Sequence, residues 1–203
     1  MTSTVLRAML VGAALVAFAA CNKAANTGGN IAAADENAAK PKESVAESTD
    51  PIKSAEAAAP ASIAHDAAVI TVDASGAVKS LREGTNGWTC MPDNPKTPGT
   101  DPMCMDANAM KWAQAWMGHK PPPANNVGLM YMLQGGSDAS NTDPWGEKPA
   151  NGKWIETGPH VMVVGADSLN KLYPASATPD TSRPYVMFGG TPYAHLMIPI
   201  GDR

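Results

Sequence analysis

Clusters of basic residues are missing from this chain. Its 15 Lys and Arg stand against 19 Asp and Glu, for a net charge of −4. No run of them builds the positive stripe that a nucleic-acid surface requires, so nucleic acid is not an expected partner. Long apolar runs are also missing. Beyond Ala20 no stretch approaches the roughly 20 residues that a membrane-spanning helix needs. The pair Gly135-Gly136 is followed by neither Gly-x-Gly-x-x-Gly nor Gly-Lys-Ser/Thr, which excludes a nucleotide loop. No period of the solenoid kind recurs. Cysteine is scarce: Cys21, Cys90 and Cys104 are the three.

The amino end has the three-part layout of a secretory signal. Arg7 and the terminus supply positive charge, Ala8 to Ala20 is apolar apart from Gly12, and small residues precede Cys21. That run is shorter than the roughly 20 residues of a permanent anchor, so residues 1–20 read as a removed signal peptide. Phe18-Ala19-Ala20-Cys21 resembles the lipobox of bacterial lipoproteins. The resemblance implies a diacylglyceryl group on the Cys21 thiol, cleavage before it, and acylation of the new terminus. Asn22, in place of Asp, implies the outer membrane, facing the periplasm. The competing reading is ordinary cleavage near Ala19 that leaves Cys21 a free thiol. With Cys21 lipidated, Cys90 and Cys104 remain as a pair. An exported chain meets an oxidising compartment, and a disulfide is the expectation. It would pin the Pro92 to Pro102 segment to the start of the following helix.

Residues 21–62 are expected to form a lipid-anchored, disordered linker. Asn22 to Ser62 is rich in Ala, Glu, Lys, Ser and Asn and has no aromatic residue, so little apolar area is available to offset chain entropy. Pro41, Pro51 and Pro60 interrupt any transient helix. As a flexible coil it reaches roughly 35–40 Å. From Ile63 the composition changes, and all Trp and Tyr lie beyond this point. Residues 63–203 are the length of one ordinary domain.

The expected fold class is α+β: a single domain with an antiparallel or mixed sheet covered by one main helix. Ala68 to Val72, the turn Ala74-Ser75-Gly76, and Ala77 to Leu81 predict a hairpin. Gly84 to Asp101 reads as irregular. Asp106 predicts the cap of a helix to Met117, stopped by Gly118 and Pro121-Pro122-Pro123. Its buried face is Ala109, Trp112, Ala113, Trp116 and Met117. Strands are expected at Gly128 to Leu133, His160 to Val164, Tyr185 to Phe188 and Ala194 to Ile200. A short helix spans Asp167 to Tyr173. Gln134 to Gly152 reads as a long polar loop.

Gly84-Thr85-Asn86-Gly87-Trp88-Thr89-Cys90, Asp101-Pro102-Met103-Cys104, the stretch from Met130 through Gly135-Gly136-Ser137-Asp138 to Pro144, Gly158-Pro159-His160-Val161-Met162, and Gly190 to Pro199 carry a further likeness. Across Gly84 to Pro199 the chain resembles an uncharacterised family of secreted bacterial proteins. The resemblance implies a grouping and no mechanism.

Candidate site residues concentrate in the C-terminal half. Pro159-His160-Val161-Met162 and Ala194-His195-Leu196-Met197 each place His-x-Met on a strand, where period two sets the pair on one face. If the strands are neighbours, His160, Met162, His195 and Met197 converge as imidazole and thioether ligands suited to copper, above all Cu(I). Met130, Met132 and Met187 belong to the same face. The opposite face, Val161 with Val163 and Leu196 with Ile198 and Ile200, reads as core. The competing reading makes the methionines ordinary core filler beneath the helix. In the loop Gln134 to Trp145, Asp138, Ser140 and Asp143 can hold a hard cation through oxygen, without the full EF-hand pattern. Ser137 with His160 or His195 and Asp138 or Asp143 can form a hydrolytic set, but Ser137 stands outside a Gly-x-Ser-x-Gly elbow. Ordinary turn closure by these side chains is the alternative. Trp145 and Trp154 either stack on a sugar or peptide or cap the core. His119, beside the helix stop, is favourable as a cation there.

The sequence thus points to an exported lipoprotein, best read as an envelope binding or accessory domain for a small ligand or soft metal. Its membrane partner is reached through the lipid anchor. The first alternative is a hydrolase or metal-dependent enzyme using His160, His195 and Asp138. The second is a purely structural envelope protein. Cofactor and oligomeric state are not specified by any motif.

Overall fold

The computed structural model describes residues 49–73 and 75–201. The signal segment, Cys21, and the linker up to residue 48 lie outside the described residues. Among the described residues no helix is long and apolar enough to cross a membrane.

The packed region begins before Ile63, which corrects the expected boundary. Helix α1 (Pro51–Glu56) is capped by Asp50, which accepts from the Ile52 N–H at 2.9 Å. Pro51 starts the helix, because its first turn needs no backbone donor. Helix α2 (Ala61–Ala64) follows Pro60. Ala55, Ala58, Ala64 and Ala67 are fully buried. Their small side chains bring the backbone itself against the sheet, a route to burial that needs no aromatic residue. Arg82 fastens it: Nη2 donates to Ala64 O at 2.6 Å and Ala67 O at 2.9 Å, and Nη1 pairs with Glu56. The Leu133 N–H donates to Ala58 O at 3.0 Å. We expect Arg82→Ala to cost about 2 kcal/mol, since two carbonyls lose a charged donor. Limited proteolysis should then cut between α1 and α2 before any other site.

The hairpin forms as expected. β1 (Ala68–Val72) pairs antiparallel with β2 (Val78–Arg82), and Asp73 accepts from the Ser75 and Ala77 N–H groups across the turn. The stretch read as irregular carries β3 (Thr89–Met91), and β4 (Met103–Met105) follows. Cys90 and Cys104 stand opposite each other in this pair and form the disulfide, with both side chains buried. It closes a loop of sequence separation 14. The double variant Cys90→Ala/Cys104→Ala is expected to lose about 3 kcal/mol in the chain-entropy account. A urea midpoint unchanged from the native chain would count against that role.

Helix α3 (Ala107–Met117) matches expectation. Asp106 accepts from the Asn108 and Ala109 N–H groups at 3.0 and 2.7 Å, and its second oxygen accepts from Leu129 N. Asp106→Ala should therefore exceed an ordinary cap loss of about 1 kcal/mol, because it also frees β5. Ala109, Trp112 and Ala113 are buried, whereas Met117 is exposed and leaves the expected face. β5 (Gly128–Met132) runs beneath. A Cβ on Gly128 would stand 2.3 Å from the Ala109 nitrogen, so this contact requires glycine.

The expected long loop is interrupted by β6 (Gly136–Asp138), which pairs with β7 (Ile155–Thr157) in a separate two-stranded sheet. β8 (His160–Val164), α4 (Asp167–Asn170), β9 (Tyr185–Met187) and β10 (His195–Pro199) complete the chain. α4 stops short of Tyr173. The main sheet has eight strands in the order β2-β1-β3-β4-β5-β8-β10-β9, and β1 with β3 is its parallel pair. The class is α+β with a mixed sheet. Helices serve both faces rather than one: α3 packs on the methionine side, and α1 and α2 pack over the disulfide.

Register explains the methionine side. Met105 opposes Met130, Met130 opposes Met162, and Met162 opposes Met197. Four unbranched thioethers thus form one row across β4, β5, β8 and β10, filling the space under Trp112 and Ala113. This corrects the assignment of core to the opposite face. There Leu196 is buried as expected, but Val161, Val163 and Ile198 are half-buried and Ile200 is exposed.

Candidate functional site

His160 is the first residue of β8 and is 2% exposed. Its Nδ1 lies 2.8 Å from Gly158 O. A carbonyl only accepts, so Nδ1 carries the proton and Nε2 keeps a lone pair. That Nε2 is buried and has no hydrogen-bond partner. Burial pushes the imidazole pKa down, against the effect of the Gly158 bond. His195 repeats the pattern, with Nδ1 2.9 Å from Tyr193 O. Its ring meets Trp112 edge-on at 5.2 Å and Phe188 at 5.4 Å. Burial is the main cause that lowers it to about 4, with a smaller push from His160, so it is neutral at neutral pH.

The two His-x-Met strands are neighbours, with their methionines paired and their histidines at opposite ends of the ladder. Met162 and Met197 pair directly, while His160 faces Pro199 and His195 begins the other end of the ladder. The direct neighbour of His160 on β5 is Met132. Met187 opposes His195 on β9.

The hydrolytic set does not assemble. Ser137 is buried and its Oγ accepts from Gly99 N at 3.1 Å, tying β6 to the Pro92–Pro102 loop. Asp143 is exposed and accepts from Trp145 N at 3.0 Å. Asp138 sits beside Asp101, and burial together with that neighbouring charge raises it to about 7. Asp101 is itself raised by burial, although it accepts from Asn94 N and Thr97 Oγ1. Among the described residues, no hydrogen bond joins either imidazole to Ser137, Asp138 or Asp143; each imidazole is held by main chain. Ser140 Oγ turns to the Thr142 and Asp143 N–H groups, and no cluster of three or more His, Cys, Asp or Glu suited to a metal occurs among the described residues.

Trp145 caps the core. It stacks on His119 at 4.5 Å, meets Tyr193 edge-on at 5.3 Å, and sits where Trp116 Nε1 donates to Pro144 O. Trp154 does something different. It lines an open groove of about 560 Å³ with Ser140, Thr142, Asn151, Lys153, Glu156 and the segment from Ala177 to Thr181. Asn141 holds two of these walls together, its Nδ2 donating to Ser176 O at 2.6 Å and Val186 O at 3.0 Å. The 177–181 wall carried no signal in the sequence, because threonine and proline there read as plain loop. Compared with protein-family models, curated proteins and solved structures, the chain has no match.

Proposed function

We propose that this chain is an exported, lipid-anchored domain of the cell envelope that binds a small polar ligand in the groove at Trp154. The groove itself carries the reading: an indole beside hydroxyl and amide groups, with one cation and one carboxylate, Lys153 and Glu156. An indole face takes the apolar side of a sugar ring, and Ser140, Thr142 and Asn151 offer donors and acceptors to its hydroxyls. Opposed single charges favour a neutral ligand over an ionic one. The lipobox-like ending at Cys21 and the Cys90–Cys104 disulfide support the address.

Titration with N-acetylglucosamine oligomers tests the groove. A saturable change in tryptophan fluorescence is expected, abolished in Trp154→Ala and retained in Trp145→Phe. An identical response in Trp154→Ala would remove the groove from consideration. The address is checked separately, by labelled palmitate entering the native chain and failing to enter Cys21→Ala.

A further inference from the structure

We infer that the buried start of β8 is a soft-metal site in which His160 Nε2, with the thioethers of Met132 and Met162, holds one cuprous ion. A methionine-rich core accounts for the thioethers by packing alone. It does not account for a buried imidazole, in register with Met132, whose acceptor is unfilled. His160 is 2% exposed and its Nε2 has no partner, so the native fold bears an uncompensated polar atom that Leu or Phe would not bring. The Nδ1–H bond to Gly158 O fixes the tautomer and aims the free lone pair. That is the arrangement by which main-chain carbonyls orient metal-ligating imidazoles.

The neighbours have matching chemistry. Met132 is directly opposite His160 in the β5–β8 register, and Met162 lies two residues on, on the same face. The Met132 methyl comes within 2.9 Å of where a Gly136 Cβ would stand. Gly136 pairs with Thr157, three residues before His160 in the chain. Nitrogen plus two thioethers selects Cu(I) over zinc or a hard cation. His195 is not a ligand in this assignment, since its ring is packed against Trp112 and Phe188. The site is separate from the groove and does not depend on it.

The test uses the mature full-length chain with Cys21→Ser, so that no free thiol competes. Cuprous ion is supplied under ascorbate without oxygen, against the chelator bicinchoninate. One equivalent is expected to be withheld from the chelator, and silver(I) should compete for it. His160→Gln should weaken retention at least 100-fold. The shape-conserving pair Met132→Leu/Met162→Leu should weaken it at least 10-fold while circular dichroism and thermal midpoint stay native-like. Trp154→Ala and Met117→Leu should bind as the parent does. Loss of the ion to bicinchoninate from the folded parent, undiminished retention in the leucine pair, or equal retention of zinc would each overturn the assignment.

Discussion

Trp112→Ala is expected to destabilise the protein by about 3–5 kcal/mol, the range for removing a large buried aromatic. Trp112 is 5% exposed and stands at the centre of the ring contacts. It stacks on Trp116 at 6.4 Å and meets Tyr193 and His195 edge-on at 6.1 and 5.2 Å. Alanine there leaves a cavity between α3 and the methionine row, which the sheet cannot close without moving β5 toward the helix. Trp112→Phe should cost far less, about 1–2 kcal/mol. It keeps a ring in place and removes an indole N–H that is buried without a partner. Urea unfolding with near-ultraviolet circular dichroism separates the two variants. Equal losses for Ala and Phe would mean that the indole nitrogen, not the ring, matters.

The second large effect is a pH dependence carried by Asp138. Its folded pKa is raised from the usual 3.8 to about 7, first by burial and then by the charge of Asp101. The folded chain therefore keeps a proton that the unfolded chain releases. Between pH 4 and 7 the native state binds more protons, so stability falls as pH rises through that window and levels off above it. A shift of this size is at most about 4 kcal/mol, at 1.36 kcal/mol per unit. Asp138→Asn removes the penalty and should be more stable than the native chain at pH 8, by about 2–4 kcal/mol. At pH 4 the two should nearly coincide. A variant that is less stable than the parent at pH 8 would show that the ionised carboxylate is itself stabilising.

The β1–β2 hairpin, α3, β5, β8, β9 and β10 were legible in the chain because their signals are local. Asp106, the spacing of Ala109, Trp112 and Ala113, and Gly118 are enough to bound α3, since each acts within a turn or two of the helix. The His-x-Met alternation marks β8 and β10 for the same reason. The Cys90–Cys104 pairing agrees with the expectation drawn from cysteine count. The packed Ala-rich start was missed because composition measures side-chain area. Ala55 and Ala58 are fully buried with little side-chain area of their own, in a segment that Arg82 fastens through Glu56 from 26 residues away.

Three matters lay beyond the sequence and were decided only by tertiary structure. A strand's pattern separates its two faces but does not say which face meets α3, so the methionine side was resolved by packing. Period two put His160 and Met162 together, but register alone made Met132 the partner across the sheet and set His195 at the far end. The groove joins segments near residues 140, 154 and 178. Each is unremarkable along the chain, because contacts between distant segments depend on how strands pair, which residue spacing does not encode. What the sequence determined by itself was short-range: the bounds of the longer, strongly patterned elements such as α3 and β8, and which side chains alternate along them.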